Sequence, residues 1–471
     1  MGRGCYLSSC APRTEAEDSS PRIGDSHTAH SLPARELIGY ETGVPCGLSH
    51  NVIRCLTIFG MLALSLFGSL IEARAEEQPD APTSAREHAA LRLRAAEQAV
   101  RKRLLSEDLR LHFYGYLEGS YTQNFNNPAS RINQLRIFDV NSNQFRPNLA
   151  QIVVEREAKA DGQGWDRVGF HVKFNAGRDS DFIGGFNISQ WADVQEFYVQ
   201  YLAPVGGGLN IQAGQINSVV GYEVVESPRN ANYSRSWLFG LGQPFTTRGI
   251  RASYEFNKQV SLSVGAIAYV NSARADTDAD PLVEYALAVS PSENVKLTLY
   301  GLAGPRDGPS GTRGGTQLLT GGFLSVQVAD RTSAVVEAYY ANQANSSTIS
   351  AGRNARWDGV AAYLIHDFSA QWGVRLRAEI FEDAGGFVAC QGTTAYSPRA
   401  NVCFGATSEA QSAPVAQTMW EMTGTLQYKP FTSLVTRLEY RYDKSNQNVF
   451  QLGNRPTSYQ PTLSLDVIYL F

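Results

Sequence analysis

The chain ends in the stretch Pro461-Thr-Leu-Ser-Leu-Asp-Val-Ile-Tyr-Leu-Phe471, where large apolar residues occupy every second position. A period of two places alternate side chains on opposite faces of a β-strand. The polar face carries Ser464 and Asp466. The apolar face carries Leu463, Leu465, Val467, Tyr469 and Phe471. A closed barrel needs such a strand as its last one, with large apolar side chains facing lipid. The stretch therefore predicts a β-barrel in an outer membrane.

The composition fits this prediction without requiring it. Of the 471 residues only 18% are charged and 11% are aromatic, and the chain has 42 Gly and 22 Tyr. Such a composition suits alternating strands, tight turns and aromatic girdles. A large soluble all-β protein remains open on composition alone. The formal net charge of -4 gives no sign of a basic surface, so we predict no nucleic-acid partner.

From Leu109 onward the hydrophobic period stays at two to the end of the chain. The predicted strands are 111–122, 147–160, 165–177, 190–203, 208–217, 247–256, 259–270, 281–290, 295–303, 318–329, 332–342, 356–368, 371–382, 417–429, 432–443 and 461–471. Short and long connections alternate strictly between them, as periplasmic turns and extracellular loops do in outer-membrane barrels. The sequence thus predicts an all-β, transmembrane antiparallel β-barrel of about 16 strands, with 12–18 allowed because boundaries are uncertain.

The region before the barrel divides into three parts. Residues 1–51 lack periodicity, and we interpret them as a non-native or disordered extension. Residues 52–75 contain an apolar run and small residues at Ala73 and Ala75, which predicts a signal peptide cut after Ala75. A transmembrane helix is the alternative for this run.

Residues 76–108 comprise a polar linker and a short amphipathic helix at 86–106, followed by the barrel at 109–471. The helix could form a periplasmic coiled coil, pack near the barrel mouth or remain solvated.

The predicted inner face carries many charged residues, and an isolated buried ion is costly, so these charges need water or dense pairing. Sixteen strands leave room for an aqueous channel. We favour a water-filled pore, with the alternative that the charges pair and fill the lumen. Arginine-rich strands could set a field for ion selectivity. The predicted pore-lining residues are Glu196, Arg251, Glu255, Glu337, Arg375, Arg377, Glu379, Arg437, Glu439 and Arg441.

The long connection 218–246 differs from the others because it is rich in aromatic and charged residues. Such a loop can fold inward and narrow a pore, or pack against the barrel wall. The candidate constriction residues are Glu223, Glu226, Arg229 and Arg235.

Two cysteines, Cys390 and Cys403, lie in one Gly/Ser/Thr/Ala-rich loop of the predicted barrel. Their separation is compatible with a disulfide that closes the loop in an oxidising compartment. Two free thiols are the alternative.

The sequence shows no pattern typical of catalysis. The histidines after the signal peptide have no metal-ligand spacing, and the chain has neither a Gly-x-Ser-x-Gly elbow nor a P-loop. The acidic run Asp276-Thr-Asp-Ala-Asp280 resembles part of a calcium loop but lacks its later Gly and bidentate Glu. We therefore predict no enzyme, no cofactor and no metal site.

Several segments resemble the OmpL-like β-barrel porin family. They include Gly177-Arg-Asp-Ser-Asp-Phe-Ile-Gly184, Gln195-Glu-Phe-Tyr-Val-Gln-Tyr-Leu-Ala-Pro-Val-Gly206, Gly221-Tyr-Glu-Val-Val-Glu-Ser-Pro228 and Pro244-Phe-Thr-Thr-Arg-Gly249. The resemblance covers about 110–471 and implies an outer-membrane porin-type barrel; it implies no solute and no functional residues.

The expected function is passive diffusion of small hydrophilic solutes or ions through a water-filled outer-membrane channel. The alternative is a plugged structural or surface-interaction barrel. Expected partners are outer-membrane lipid, lipopolysaccharide and the barrel-assembly machinery, which would engage the last strand through Phe471. Assembly into a homo-oligomer stays open.

Overall fold

The described part of the chain is a single β-barrel. A computed structural model describes residues 110–183, 186–189, 191–270, 281–306, 315–390, 403–404 and 415–471. The predicted N-terminal extension, signal peptide and amphipathic helix lie outside the described residues. No helix within the described ranges is long and apolar enough to cross a membrane.

The regular elements are almost all strands. They are β1 (Leu111–Asn124), β2 (Gln144–Arg156), β3 (Val168–Ala176), β4 (Phe186–Ser189), β5 (Ala192–Ala203), β6 (Leu209–Asn217), β7 (Thr246–Glu255), β8 (Val260–Val270), β9 (Leu282–Ser292), β10 (Val295–Pro305), β11 (Thr316–Ala329), β12 (Thr332–Gln343), β13 (Ala355–Asp367), β14 (Trp372–Asp383), β15 (Gln417–Phe431), β16 (Leu434–Ser445), β17 (Phe450–Leu452), β18 (Arg455–Thr457) and β19 (Tyr459–Leu470). Two short helices are α1 (Ser180–Ile183) and α2 (Trp237–Gly242), and two 3-10 turns lie at Gly164–Arg167 and Ser227–Arg229.

The barrel closes through the C-terminal strand. β19 pairs antiparallel with both β16 and β1, while the other long strands pair with their neighbours in sequence. At the seam, Gly115 N–H donates to the Phe471 carbonyl at 2.9 Å, and Phe471 N–H donates to the Gly115 carbonyl at 3.1 Å. Closure satisfies the edge hydrogen bonds that a membrane could not. The predicted antiparallel barrel of sixteen long strands is confirmed.

Side-chain alternation separates an apolar outer wall from a polar inner wall. On β19 the outward Leu465 is 49% exposed, whereas the inward Asp466 beside it is 0% exposed. On β14 the outward Leu376 is 46% exposed and the inward Arg377 is 2% exposed. A charge on the lipid face at mid-bilayer costs about 2–4 kcal/mol, which explains why the period of two is kept so strictly.

The structure differs from the sequence prediction at some strand ends. The third strand begins at Val168 rather than at residue 165, because Gly164–Arg167 form a 3-10 turn. The connection predicted at 444–460 contains the hairpin of β17 and β18. At the first place a turn shortens the predicted strand, and at the second a short hairpin forms within a predicted loop.

Candidate pore and constriction site

The loop between β6 and β7, residues 218–245, lies inside the barrel, and we call it the inward loop. Its helix α2 begins after Ser236, whose Oγ accepts a hydrogen bond from the Phe239 N–H at 3.1 Å. Trp237 and Leu238 at the start of this helix are 1% and 0% exposed. The inward loop is therefore packed within the lumen and does not extend into solvent.

Carboxylates of the barrel wall hold the backbone of the inward loop. Glu379 accepts hydrogen bonds from the N–H groups of Trp237 and Leu238, at 2.7 and 2.5 Å. Glu439 accepts one from the Tyr233 N–H at 2.7 Å. Buried backbone N–H groups need a partner. The wall carboxylates accept these hydrogen bonds, because the inward loop has no neighbouring strand to pair with.

The same arrangement recurs on the other side of the lumen. Glu337 of β12 accepts from the Tyr222 N–H at 3.0 Å, and Glu284 of β9 accepts from the Val219 N–H at 3.2 Å. Arg251 of β7 balances the Glu284 carboxylate, with Nη2 at 2.7 Å from Oε2. The inward loop thus contacts widely separated strands and spans the lumen.

Wall arginines complete the pattern by donating to carbonyls of the inward loop. Arg441 Nη1 donates to the Arg235 carbonyl at 2.5 Å, and Arg437 Nη1 donates to the Asn232 carbonyl at 3.1 Å. Arg437 also pairs with Asp466, with Nη2 at 2.7 Å from Oδ2. The charges of the wall therefore solvate the polar backbone of the loop in place of water.

Arg377 connects the wall and the inward loop by bonding to residues of both. Its Nη1 lies 2.8 Å from Glu223 of the loop, and its Nε lies 2.6 Å from Glu421 of β15. Nη1 also donates to the Ser234 carbonyl at 2.7 Å. A buried arginine with this many partners offsets the large cost of its desolvation.

Glu226 anchors the inward loop to the wall at β3 and β5. Lys173 of β3 donates to both Glu226 and the wall residue Glu196. Gln195 Nε2 and Asn217 Nδ2 donate to Glu226 Oε1 at 2.8 and 2.9 Å. Burial acts to raise the pKa of the Glu226 carboxyl, but the Lys173 ammonium and the Asn217 amide outweigh it and hold that pKa below its usual range.

The predicted pore-lining residues lie on the inner wall, but most of them do not contact water. Glu255 is exposed near a short turn, and Arg375 pairs with Asp367 at 2.5 Å beside the turn between β13 and β14. The buried members of the predicted set are Glu196, Arg251, Glu337, Arg375, Arg377, Glu379, Arg437, Glu439 and Arg441. Among the candidate constriction residues Arg229 is exposed, and the buried ones are Glu223, Glu226 and Arg235.

The sequence predicts water around the charges of the inner wall, but the structure buries most of these charges. Every long strand carries an inward side chain that is at most 8% exposed. One such residue per strand, in chain order, is Glu118, Val153, Lys173, Gln195, Ile216, Arg251, Ile267, Glu284, Tyr300, Leu319, Glu337, Tyr363, Arg377, Thr425, Glu439 and Asp466. The inward loop fills the space between these side chains because it carries the groups that pair with them.

Other chain segments pack above the inward loop, on the side of the long loops. Trp237 Nε1 donates to the Leu135 carbonyl in the loop between β1 and β2, at 2.9 Å. Arg136 of that loop pairs with Asp443 of β16, with Nη2 at 2.6 Å from Oδ2. Two long loops are therefore joined to each other and to the wall.

A disulfide links Cys390 to Cys403, and their Cα atoms are 4.9 Å apart. Both cysteines belong to a buried apolar cluster that also contains Val449 and Phe450. Phe404 N–H donates to the Val449 carbonyl at 2.7 Å. The bridge therefore fixes part of the loop between β14 and β15 against the loop that precedes β19.

The predicted site residues leave out other residues of this interior, among them Glu284, Glu421, Arg136 and Asp139. Glu284 and Glu421 sit at inward positions of predicted strands, so the alternation could have identified them. Arg136 and Asp139 pair with each other in a loop without any period, and no sequence signal marks them. Within the described ranges no group of histidine, cysteine or acidic residues could hold a metal ion. The acidic run Asp276–Asp280 lies outside those ranges.

Comparison with known proteins agrees with the fold. The family described as "Putative beta-barrel porin-2, OmpL-like" matches residues 110–471. No curated protein matches the chain. Among solved structures, the anion-selective porin from Comamonas acidovorans is 8% identical, with a TM-score of 0.51 over 77% of this chain and 99% of that chain. Pseudomonas putida OprB is 10% identical, with a TM-score of 0.51 over 80% and 97%.

At such low identities the two structures show a shared fold and nothing about the solute. The family match carries more, because it covers the barrel from its first strand to its last residue. The chain therefore belongs to the OmpL-like β-barrel porin-2 family and is an outer-membrane barrel of the porin type.

Proposed function

We propose that this barrel is an outer-membrane channel that is closed at rest by the inward loop and passes ions or small hydrophilic solutes when that loop shifts. The observation that carries the proposal is the difference between two levels of the inner wall. Inward side chains near the short turns, such as Tyr114 and Glu255, are exposed. Those that contact the inward loop, such as Glu379 and Glu439, are buried. The lumen is thus open at Tyr114 and Glu255 near the short turns and filled where the inward loop contacts the wall.

The chemistry of the closure supports a movable loop. Many hydrogen bonds between the loop and the wall join a charged side chain to a backbone group: Glu379 and Glu439 accept from N–H groups, and Arg441 donates to a carbonyl. Water can replace each of these partners, so a shift of the loop exchanges hydrogen bonds without leaving them unmade. An interface built only from apolar side chains would offer no such exchange.

A second candidate is a permanently plugged barrel with a structural or surface-interaction role. Apolar packing between the inward loop and the wall favours it: Trp237 of the loop belongs to one buried cluster with Tyr300, Leu302 and Leu319 of the wall. Opening would expose part of this cluster to water, at about 25 cal/mol for each Å² of apolar surface. The two candidates differ in whether any open state is reached.

Single-channel recording with protein purified from outer membranes separates the candidates. One variant replaces residues 219–244 by a short Gly-Ser linker. A second variant, Asn232→Cys with Thr425→Cys, ties the loop to β15 where the Asn232 amide donates to Thr425 Oγ1 at 2.7 Å. We expect brief openings in the wild type, lasting currents with the linker and silence in the oxidised double variant. Each single cysteine variant is the control.

Two outcomes would contradict gating by the inward loop. If the linker variant conducts while the wild type stays silent at every voltage, the native barrel is permanently plugged. If the oxidised double variant conducts like the wild type, ions pass by a route that does not involve the inward loop.

A further inference from the structure

A polar pocket lies on the inner wall near the short turns, apart from the inward loop. It has a volume of about 430 Å³, and no residue of 218–245 lines it. The residues that give it chemical character are Leu202, Asn210, Ser253, Glu255, Ser261 and Ser263. A pocket of this size exceeds a single water molecule many times over.

Strand register builds this pocket from adjacent inward positions. Leu202 pairs with Asn210, Asn210 with Ser253, and Ser253 with Ser263, so one row crosses β5 to β8. The outward neighbour Tyr201 is 41% exposed, which places the row itself on the inner face. Short polar side chains on three successive strands, at Asn210, Ser253 and Ser263, leave a polar surface beside Leu202.

Two acceptors in the pocket lack partners. The Asn210 Oδ1 atom is buried and has no hydrogen-bond partner within the described part of the chain. The Glu255 carboxylate forms no ion pair with any described residue and is exposed. The Ser263 hydroxyl donates a hydrogen bond to Ser253 Oγ at 2.8 Å, so at least one hydroxyl lone pair remains free. The pocket thus offers unfilled acceptors beside groups that also donate.

We propose that this pocket binds a small polyhydroxylated solute of monosaccharide size. Its hydroxyl groups would donate to Asn210 Oδ1 and Glu255 and accept from the hydroxyls of Ser253 and Ser261. A hydroxyl both donates and accepts, which matches this mixed set; an ammonium group only donates and leaves the serine donors unused. This proposal names a class of solute for the channel. It rests on the proposed function, because the solute would reach the pocket through that channel.

Saturation-transfer NMR with D-glucose tests the pocket on the full chain in detergent, without any current. Failure of gating and failure of binding are therefore separate results. We compare the wild type with Asn210→Ala and Glu255→Gln. The matched control is Ser325→Ala, which truncates an inward serine of β11 outside the pocket. Heat-dependent gel mobility checks that every variant forms the barrel.

We expect glucose to bind the wild type and the control equally, and each pocket variant about tenfold more weakly, since one lost hydrogen bond accounts for a factor of that order. Absence of glucose binding in the folded wild type overturns the proposal. Equal glucose binding in all variants overturns it as well. Binding of ethylammonium that depends on Glu255, without binding of glucose, identifies a cation site instead and also overturns it.

Discussion

Arg377 of β14 and Glu223 of the inward loop form an ion pair inside the lumen, with Nη1 2.8 Å from Oε1 and both side chains buried. The pair joins the inward loop, which follows β6, to β14, a strand on a different part of the barrel wall. Because both ions are removed from water, each depends on the other more than a surface pair would. The position of the inward loop is therefore coupled to the charge of the wall.

Arg377→Gln is expected to open the channel. The change leaves the buried Glu223 without its cation and removes one of the two cationic partners of Glu421. Breaking one side of a buried pair costs about 3–5 kcal/mol. That cost falls on the closed position of the inward loop, so single-channel recordings should show longer open times than the wild type.

The control for this variant is Arg356→Gln. Arg356 pairs with Asp358 and Glu382, and its side chain is 42% exposed. Loss of a partly exposed pair is worth about 0–1 kcal/mol, so its recordings should match the wild type. Indistinguishable currents from Arg377→Gln and the wild type would remove Arg377 from the closure.

Acid is expected to release the inward loop through Glu226. Because the pKa of Glu226 is held below its usual range, its ionised form stabilises the folded loop above the ordinary carboxyl pKa of about 4.3. That contribution is lost as the pH falls through the lowered pKa. Conductance should therefore rise as the pH falls below about pH 4.

Glu226→Gln should remove much of this pH dependence and raise the conductance already at neutral pH, because Lys173 then keeps only Glu196 as a charged partner. Glu157→Gln, which changes an exposed carboxylate near a short turn, is the control and should titrate like the wild type. A Glu226→Gln profile that follows the wild type would refute the role of Glu226.

The disulfide is expected to stabilise the loop between β14 and β15. Replacing Cys390 and Cys403 together by serine removes a cross-link that closes a loop of this length, worth about 3 kcal/mol in the chain-entropy description. The loop should become cleavable by protease at lower concentrations, while heat-dependent gel mobility still shows a barrel. Equal cleavage of the variant and the oxidised wild type would argue against a structural bridge.

Loss of the C-terminal residues is expected to prevent closure of the barrel. Deleting Tyr469–Phe471 removes the pairing of Leu470 with Tyr116 and both hydrogen bonds between Phe471 and Gly115. The amount of folded protein in outer membranes should fall severalfold, measured by the heat-shifted band. Phe471→Tyr keeps the ring and both backbone hydrogen bonds and should assemble normally; similar loss in both variants would show that loss of the seam pairing does not explain the effect.

The strands could be predicted because their information is local. Alternation at Leu463, Leu465 and Val467 requires only adjacent residues, and the structure places β19 where this alternation lies. The inward orientation of Arg377 and Glu439 follows from the same rule. Strand ends were less accurate, as at Val168, because a 3-10 turn depends on backbone geometry that hydrophobicity does not encode.

The interior could be predicted only in part. The composition of 218–246 singled out the inward loop, and three of its four candidate residues are buried within the barrel. Its partners could not be predicted, because Trp237 meets Glu379 across 142 positions of sequence. A wall carboxylate facing water and one that holds a loop backbone have the same sequence pattern.

The sequence by itself determined the antiparallel barrel, a strand number of about 16 within a range of 12–18, and the two faces of its wall, since the period of two is set by the pleat and by the cost of charge in lipid. Only the tertiary structure decided that the wall charges bind the inward loop rather than water. That outcome depends on which backbone N–H and carbonyl groups arrive within about 3 Å of each carboxylate and guanidinium. These distances arise only when strands far apart in sequence close around the loop.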